Sequence, residues 1–299
     1  MNNDIYCETS GGNTGLPPCG ILPGKFIGVY FIRERTTLTL AELADLETTL
    51  KEKVKLQNLN QRFYPIYGVD EDEDSSEDAT ITTSSRGYAE KTAPGSIQYS
   101  LQYHLDFCRT QQLARWDGFS GYCFFVDDNG NFWGKRNDDG TLSSLKLANV
   151  IANLRMAKAG TDITWNTMIL NFGAPTKLFW LTLGVEKYSF DASEVEGIQD
   201  LTLKKVAATT FTVELSCGGG SIYSEYKTEI ATLTAWKAKN AATGDAINIT
   251  AVTENDAQMG YDLTFETAPP AGAKVRIDVN LESLSGIKGY EVKPLTYTV

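Results

Sequence analysis

The sequence has little of what most enzymes and nucleic-acid binders require. One histidine, His104, stands in 299 residues. Sites built from several imidazoles are thereby excluded, and any catalytic triad would have to use that one ring. Bases are in deficit, with 27 Lys and Arg against 38 Asp and Glu for a formal charge of −11. Proteins that wrap or read nucleic acid neutralise phosphates with Lys and Arg, so this balance argues against that class. No apolar run approaches the roughly 18 to 20 residues of a membrane-spanning helix. The most apolar stretches, Phe26 to Ile32 and Leu178 to Leu183, have the length of buried strands. From Met1 to Gly12 there are acids and glycines where a secretory signal carries bases and then an apolar run, and no export signal is expected. The five cysteines (Cys7, Cys19, Cys108, Cys123, Cys217) are odd in number and scattered, without the close pairs of a zinc site or a small disulfide scaffold. They are expected to be reduced thiols made in a cytoplasm, with a Cys7–Cys19 bridge as the alternative.

What is present is a globular composition. Apolar residues make up 42% and aromatic residues 11% of the chain, enough to offset the entropy of ordering it, and the length favours two units. Residues 1–24 are rich in Gly, Pro, Asn and Thr, which is the chemistry of a loop or arm. Phe26 to Ile32 is dense in aromatic and β-branched residues and reads as a buried strand. Thr39 followed by Glu42 is a capping-box spacing, and Leu40, Leu43, Leu46 and Leu50 recur at helical spacing, which predicts one helix to about Lys55. Phe63 to Val69 reads as a strand. It runs into Asp70, Glu71, Asp72, Glu73 and Asp74, then Glu77 and Asp78, a density of like charge expected to form a solvated loop over residues 69–78.

Beyond the acidic run the pattern turns to strands at Ala79 to Ser84, Tyr88 to Thr92 and Ser96 to Tyr103, the last with Ile97, Tyr99, Leu101 and Tyr103 on one face. A helix is expected over Leu105 to Trp116. Tyr122 to Val126 and Asn131 to Trp133 flank Asp128-Asn129-Gly130, and Asn-Gly predicts a tight hairpin turn. Thr164 to Asn171 and Lys177 to Leu183 read as a further strand pair. The composition loosens over Ser193 to Asp200, where a linker is expected. After it come six candidate strands: Thr210 to Leu215, Thr228 to Lys237, Ile247 to Val252, Tyr261 to Phe265, Lys274 to Val279 and Leu295 to Val299. That spacing suits a β-sandwich. The fold class expected is therefore mainly β (α+β): a β-sandwich or barrel with one or two helices over 25–198, then a second sandwich over 199–299.

Chemistry is hard to build from these residues. A Cys108/His104 pair four residues apart is the sharpest enzymatic idea, yet no strained turn or orienting acid accompanies it. Gly218-Gly219-Gly220-Ser221 lacks the lysine and helix of a phosphate loop. Asp127 to Asn131 has its glycine one place early for a calcium loop and lacks the closing acid, so it reads as a hairpin turn. The five tryptophans, Trp116, Trp133, Trp165, Trp180 and Trp236, read as core residues, with a sugar-binding platform as the alternative. No catalytic residue, cofactor or metal is expected, and the chain is read as not an enzyme.

Tyr261 to Ile277, a strand, a Pro/Gly turn and an alternating strand, resembles the late strands of bacterial and phage immunoglobulin-like domains. The order of elements before it resembles the tail tube (major tail) proteins of long-tailed bacteriophages, some of which carry an immunoglobulin-like domain after the tube domain. The resemblance implies a virion structural protein that partners itself in stacked hexameric rings, meets other virion proteins, and lines a conduit for transient, non-specific passage of DNA, without a membrane. It implies a virion location after synthesis in the host bacterial cytoplasm. It places an N-terminal arm at 1–24, including Tyr6, Cys7, Leu16, Pro17 and Cys19, and an assembly or lumen loop at Asp70, Glu71, Asp72, Glu73, Asp74, Glu77 and Asp78. The alternatives are a phage head or neck protein, or a carbohydrate-binding module with an immunoglobulin-like spacer.

Overall fold

Phe26–Ile32 forms β1, and six of its seven residues are buried. The reason lies on either side of it. Val29 and Phe31 enter one core while Tyr30 and Ile32 enter another, and a strand covered on both faces must be apolar without alternation. The computed structural model describes residues 24–93, 95–155, 165–173, 183–281, 284 and 289–299, and in them the chain is mainly β with four helices. The arm residues Tyr6, Cys7, Leu16, Pro17 and Cys19 lie outside the described residues, as does most of the strand expected at Lys177 to Leu183. The chain divides into two units between Glu196 and Gly197.

In the first unit β1 is followed by β2 (Thr37–Leu38), α1 (Leu40–Ala44), α2 (Leu46–Lys53), β3 (Tyr64–Tyr67), β4 (Val69–Asp74), β5 (Thr80–Thr83), β6 (Ala89–Ala93), β7 (Ile97–Tyr103) and α3 (Phe107–Ala114). Then come β8 (Gly121–Asp127), β9 (Asn131–Arg136), β10 (Leu142–Ser143), β11 (Leu145–Leu147), β12 (Asn149–Asn153), β13 (Asn166–Gly173) and β14 (Leu183–Lys187). One sheet runs β2-β10-β9-β8-β1-β3, with β11 also on β8 and β14 on β9, and a second runs β12-β13-β7-β4. Between them lies a core that includes Phe26, Val29, Phe31, Leu101, Tyr103, Phe125, Met168 and Leu170. The outer face of the larger sheet is covered by Leu43, Leu46 and Leu50, which meet Tyr30, Phe124 and Phe132.

Thr39 and Glu42 form the reciprocal capping box at the start of α1. The single helix expected to Lys55 is instead two. Asp45 leaves helical geometry (φ −127°, ψ 65°) and its carboxylate caps α2 by accepting from the Thr48 N–H at 3.3 Å. A short acidic side chain offers the backbone that alternative, which leucine spacing does not register. The hairpin at Asn129-Gly130 is present, but its turn differs from the tight one expected. Phe125 pairs with Trp133 and Val126 with Phe132, leaving a three-residue loop in which Gly130 alone has positive φ, 74°. The Asp127 carboxylate holds this loop by accepting from the Asn129 and Asn131 N–H groups at 3.0 and 2.8 Å.

The second unit contains β15 (Gln199–Lys205), β16 (Thr210–Leu215), α4 (Tyr223–Ile230), β17 (Trp236–Asn240), β18 (Ala246–Ile247), β19 (Ile249–Asn255), β20 (Gly260–Phe265), β21 (Lys274–Val279), β22 (Tyr290–Lys293) and β23 (Leu295–Thr298). Its sheets run β19-β20-β16-β15-β22 and β18-β17-β21-β23 around one core. Reading β15, β16, β17, β19, β20, β21 and β23 as strands A to G gives the ABED and CFG sheets of the immunoglobulin sandwich. Trp236 on the third of these strands is buried against Phe211 and Tyr261, the place such folds give a tryptophan. The strand expected at Thr228 to Lys237 is overturned: the end of α4, a 3-10 turn and the start of β17 occupy it. Tyr223 and Ile230, seven residues apart, are the buried contacts of α4, while Thr228, Ile230, Thr232 and Thr234 are β-branched and favour a strand reading. The linker expected over Ser193 to Asp200 is shorter, because Val195 is buried and β15 starts at Gln199.

Candidate assembly surface

The acidic run is ordered as a strand. β4 pairs antiparallel with β7, Glu71 opposite Gln102, Asp72 opposite Leu101, Glu73 opposite Ser100 and Asp74 opposite Tyr99. The solvated loop expected there is therefore corrected, and edge position is the physical reason: β4 ends its sheet, so charges on it stay in water while the backbone is paired. Only Val69 on this strand is buried. Three carboxylates of the strand are used locally, that of Asp74 by accepting from the Ser76 backbone N–H at 3.0 Å. Asp70 accepts from the His104 backbone N–H at 2.6 Å, and Asp72 from the Phe26 backbone N–H at 3.2 Å. The Lys25 ammonium donates to the Asp70 carbonyl. Burial, and then the carboxylates of Asp74 and Asp72, push the Tyr99 phenol above its ordinary value.

Pairing continues past Asp74. Glu77 and Ser96 exchange both backbone hydrogen bonds, at 2.9 and 3.1 Å, and β5 then pairs with β6 from Thr80 opposite Ala93 to Thr83 opposite Ala89. Gly95 permits the change of course between these segments, since its φ is 65° and a Cβ there would lie 2.3 Å from the Glu77 carbonyl oxygen. The tip closes through the Gly87 N–H on the Ser84 carbonyl at 2.9 Å, with Gly87 at φ 82°. Every residue from Thr80 to Ala93 is exposed, Ile81 by 64% and Tyr88 by 77%. β4 to β7 is thus one long ribbon whose base belongs to the sandwich and whose outer half has no core beneath either face.

The remaining sequence candidates fall elsewhere. His104 is exposed at the end of β7 with its ring edge-on to Trp165, and Cys108 on α3 is disulfide-bonded, so no free thiol stands beside that imidazole. Cys217 is disulfide-bonded as well, which overturns the expectation of reduced thiols for these two cysteines. Scattered spacing carried no information against pairing, because cysteines meet through the fold and not along the chain. Cys123 is a free, buried thiol, and burial pushes it well above its ordinary pKa. Trp133 and Trp236 are buried, Trp116 packs on Phe31, Tyr64 and Phe119, and Trp165 is half-buried, so these four form no exposed platform. Among the described residues no cluster of His, Cys, Asp or Glu is arranged to hold a metal ion, and no helix is long and apolar enough to cross a membrane. The outer ribbon was legible only as two strands; its isolation from any core was not. No family model matches the chain, and no curated protein is significantly similar to it.

Proposed function

We propose that this chain is a virion structural protein, a self-assembling subunit of a long-tailed bacteriophage tail tube through which DNA passes. The observation that carries this reading is the outer ribbon, Thr80 to Ala93, fully exposed on both faces. A two-stranded hairpin without a covering layer is marginal in water, and one this rich in threonine with Ile81 and Tyr88 outward is built to be covered by another molecule. In a homo-oligomer the covering molecule is the next copy. The acidic edge strand β4 and the residues after it support the same reading, since the seven carboxylates from Asp70 to Asp78 repel phosphate and let a DNA chain slide past without adhering. The immunoglobulin-like unit has its own core and would be displayed outside the tube. Disulfides at Cys108 and Cys217 suit a particle that leaves the reducing cytoplasm.

The test is negative-stain electron microscopy of the purified full chain with light scattering over a concentration series. Tubes of constant diameter are expected. Isolated rings that never stack would favour a neck or head component, and a monomer at every concentration would sink the reading.

A further inference from the structure

The turn between β8 and β9 holds one of its peptides loosely. The Asp127 carboxylate takes the Asn129 and Asn131 N–H groups at 3.0 and 2.8 Å, and the Gly130 carbonyl takes the Tyr188 N–H at 2.9 Å. Between these anchors the Gly130 N–H donates to the Asp127 carbonyl at 3.3 Å, longer than the usual range of about 2.7 to 3.2 Å. The side-chain amide beside that nitrogen belongs to Asn129, which is exposed. A Cβ on Gly24 would lie 2.8 Å from its Nδ2, so the amide packs over bare backbone. Asn-Gly occurs once in the chain. After every other asparagine the next residue carries a side chain that shields its backbone nitrogen, and glycine alone leaves that nitrogen open to close approach.

We propose that Asn129-Gly130 is a self-modification site, where the folded chain deamidates faster than at any other asparagine and thereby unlatches the turn with age. The Gly130 backbone nitrogen gives its proton to a solvent base and attacks Asn129 Cγ. The new N–Cγ bond closes a five-membered succinimide; the Cγ–Nδ2 bond breaks, and the amide nitrogen takes a proton from water and leaves as ammonia. Water then opens either carbonyl of the ring, which leaves aspartate or isoaspartate at position 129. Water is the only co-reactant, and no electrons are exchanged. Both products act on Asp127. The new carboxylate becomes the third acid in succession after Asp127 and Asp128. Isoaspartate also inserts a methylene into the backbone between the N–H groups of residues 129 and 131, so the two no longer meet the Asp127 carboxylate together. That carboxylate is fully buried and holds the Trp133 indole at 2.8 Å, which carries the disturbance into the core.

This inference is independent of the self-assembly reading. In its test the folded full chain is aged in warm, mildly alkaline buffer, and every asparagine is followed by peptide mapping with mass spectrometry that separates aspartate from isoaspartate. A denatured sample and an N129Q variant are aged beside it. Glutamine must close a six-membered ring, which is slow, and it leaves the backbone of the turn as it is. Urea unfolding then compares aged with fresh protein. Conversion at Asn129 is expected to run at least about tenfold faster than at any other asparagine of the folded chain. The converted protein is expected to lose at least about tenfold in its folded-to-unfolded ratio, while aged N129Q keeps its own. If the folded chain retains Asn129 while the denatured chain converts it, the turn shields the site and the proposal is overturned. Faster conversion at another asparagine overturns it as well. Converted protein as stable as fresh, or N129Q that loses as much on ageing, would contradict the unlatching.

Discussion

The indole N–H of Trp133 donates to the carboxylate of Asp127 at 2.8 Å, inside the protein, across the hairpin that joins β8 to β9. The same fully buried carboxylate also accepts from the Gly24, Asn129 and Asn131 backbone N–H groups and from the Asn131 side chain. One acid thus fixes the turn, the tryptophan behind it and the entry of the chain into β1.

Replacing Asp127 by Ala leaves several buried donors without acceptors. Each such donor costs about 1 to 3 kcal/mol, so a loss of at least about 3 kcal/mol is expected, read by urea unfolding followed through tryptophan fluorescence. Asp127→Asn should also be costly, because its amide N–H groups meet donors. A loss below about 1 kcal/mol for Asp127→Ala would mean that water replaces the network.

Glu42 ties local structure to pH. Burial raises its carboxyl, but hydrogen bonds from Lys53 and Thr39 outweigh that effect and hold it below its ordinary value of 4.5. Its contribution is therefore fully present above the unfolded value and disappears as pH falls through the lower folded one. Glu42→Gln should cost about 1 kcal/mol at pH 7, the size of a helix cap, and progressively less as the pH is lowered through the carboxylate range. A difference between the two proteins that is constant from pH 7 to pH 3 would contradict the assignment.

Thiol counting tests the disulfides. Unfolded in denaturant without reductant, the chain should show fewer than the five thiols that its sequence contains, because Cys108 and Cys217 are bonded. In the folded protein Cys123 should react only after unfolding, since it is wholly buried. Five reactive thiols in unreduced, denatured protein would restore the picture of a fully reduced chain.

Much of the scaffold was legible because burial writes a pattern. β1 and β7 were visible as a continuous apolar run and a strict alternation, and the Thr39/Glu42 spacing marked the helix start. A sandwich in the second unit was expected from the spacing of six strand signals, of which one concealed α4, while β15 was not among them. The acidic run misled for a physical reason: like charges forbid a buried strand but not an edge strand, and sequence does not say which neighbour a strand will have. The exposed ribbon was hidden for the complementary reason. Thr80, Ile81, Thr82 and Thr83 carry the propensity of a covered strand, and only the structure places nothing over them.

Because the ribbon beyond Glu77 contributes nothing to either core of the first unit, removing it should leave the fold intact and abolish assembly. The most direct measurement is electron microscopy of the full chain beside a chain in which residues 78–95 are replaced by a short Asn-Gly turn, with thermal unfolding of both. The account predicts melting within a few degrees of each other, tubes from the full chain and only dispersed subunits from the shortened one. Tubes from the shortened chain, still folded, would contradict it.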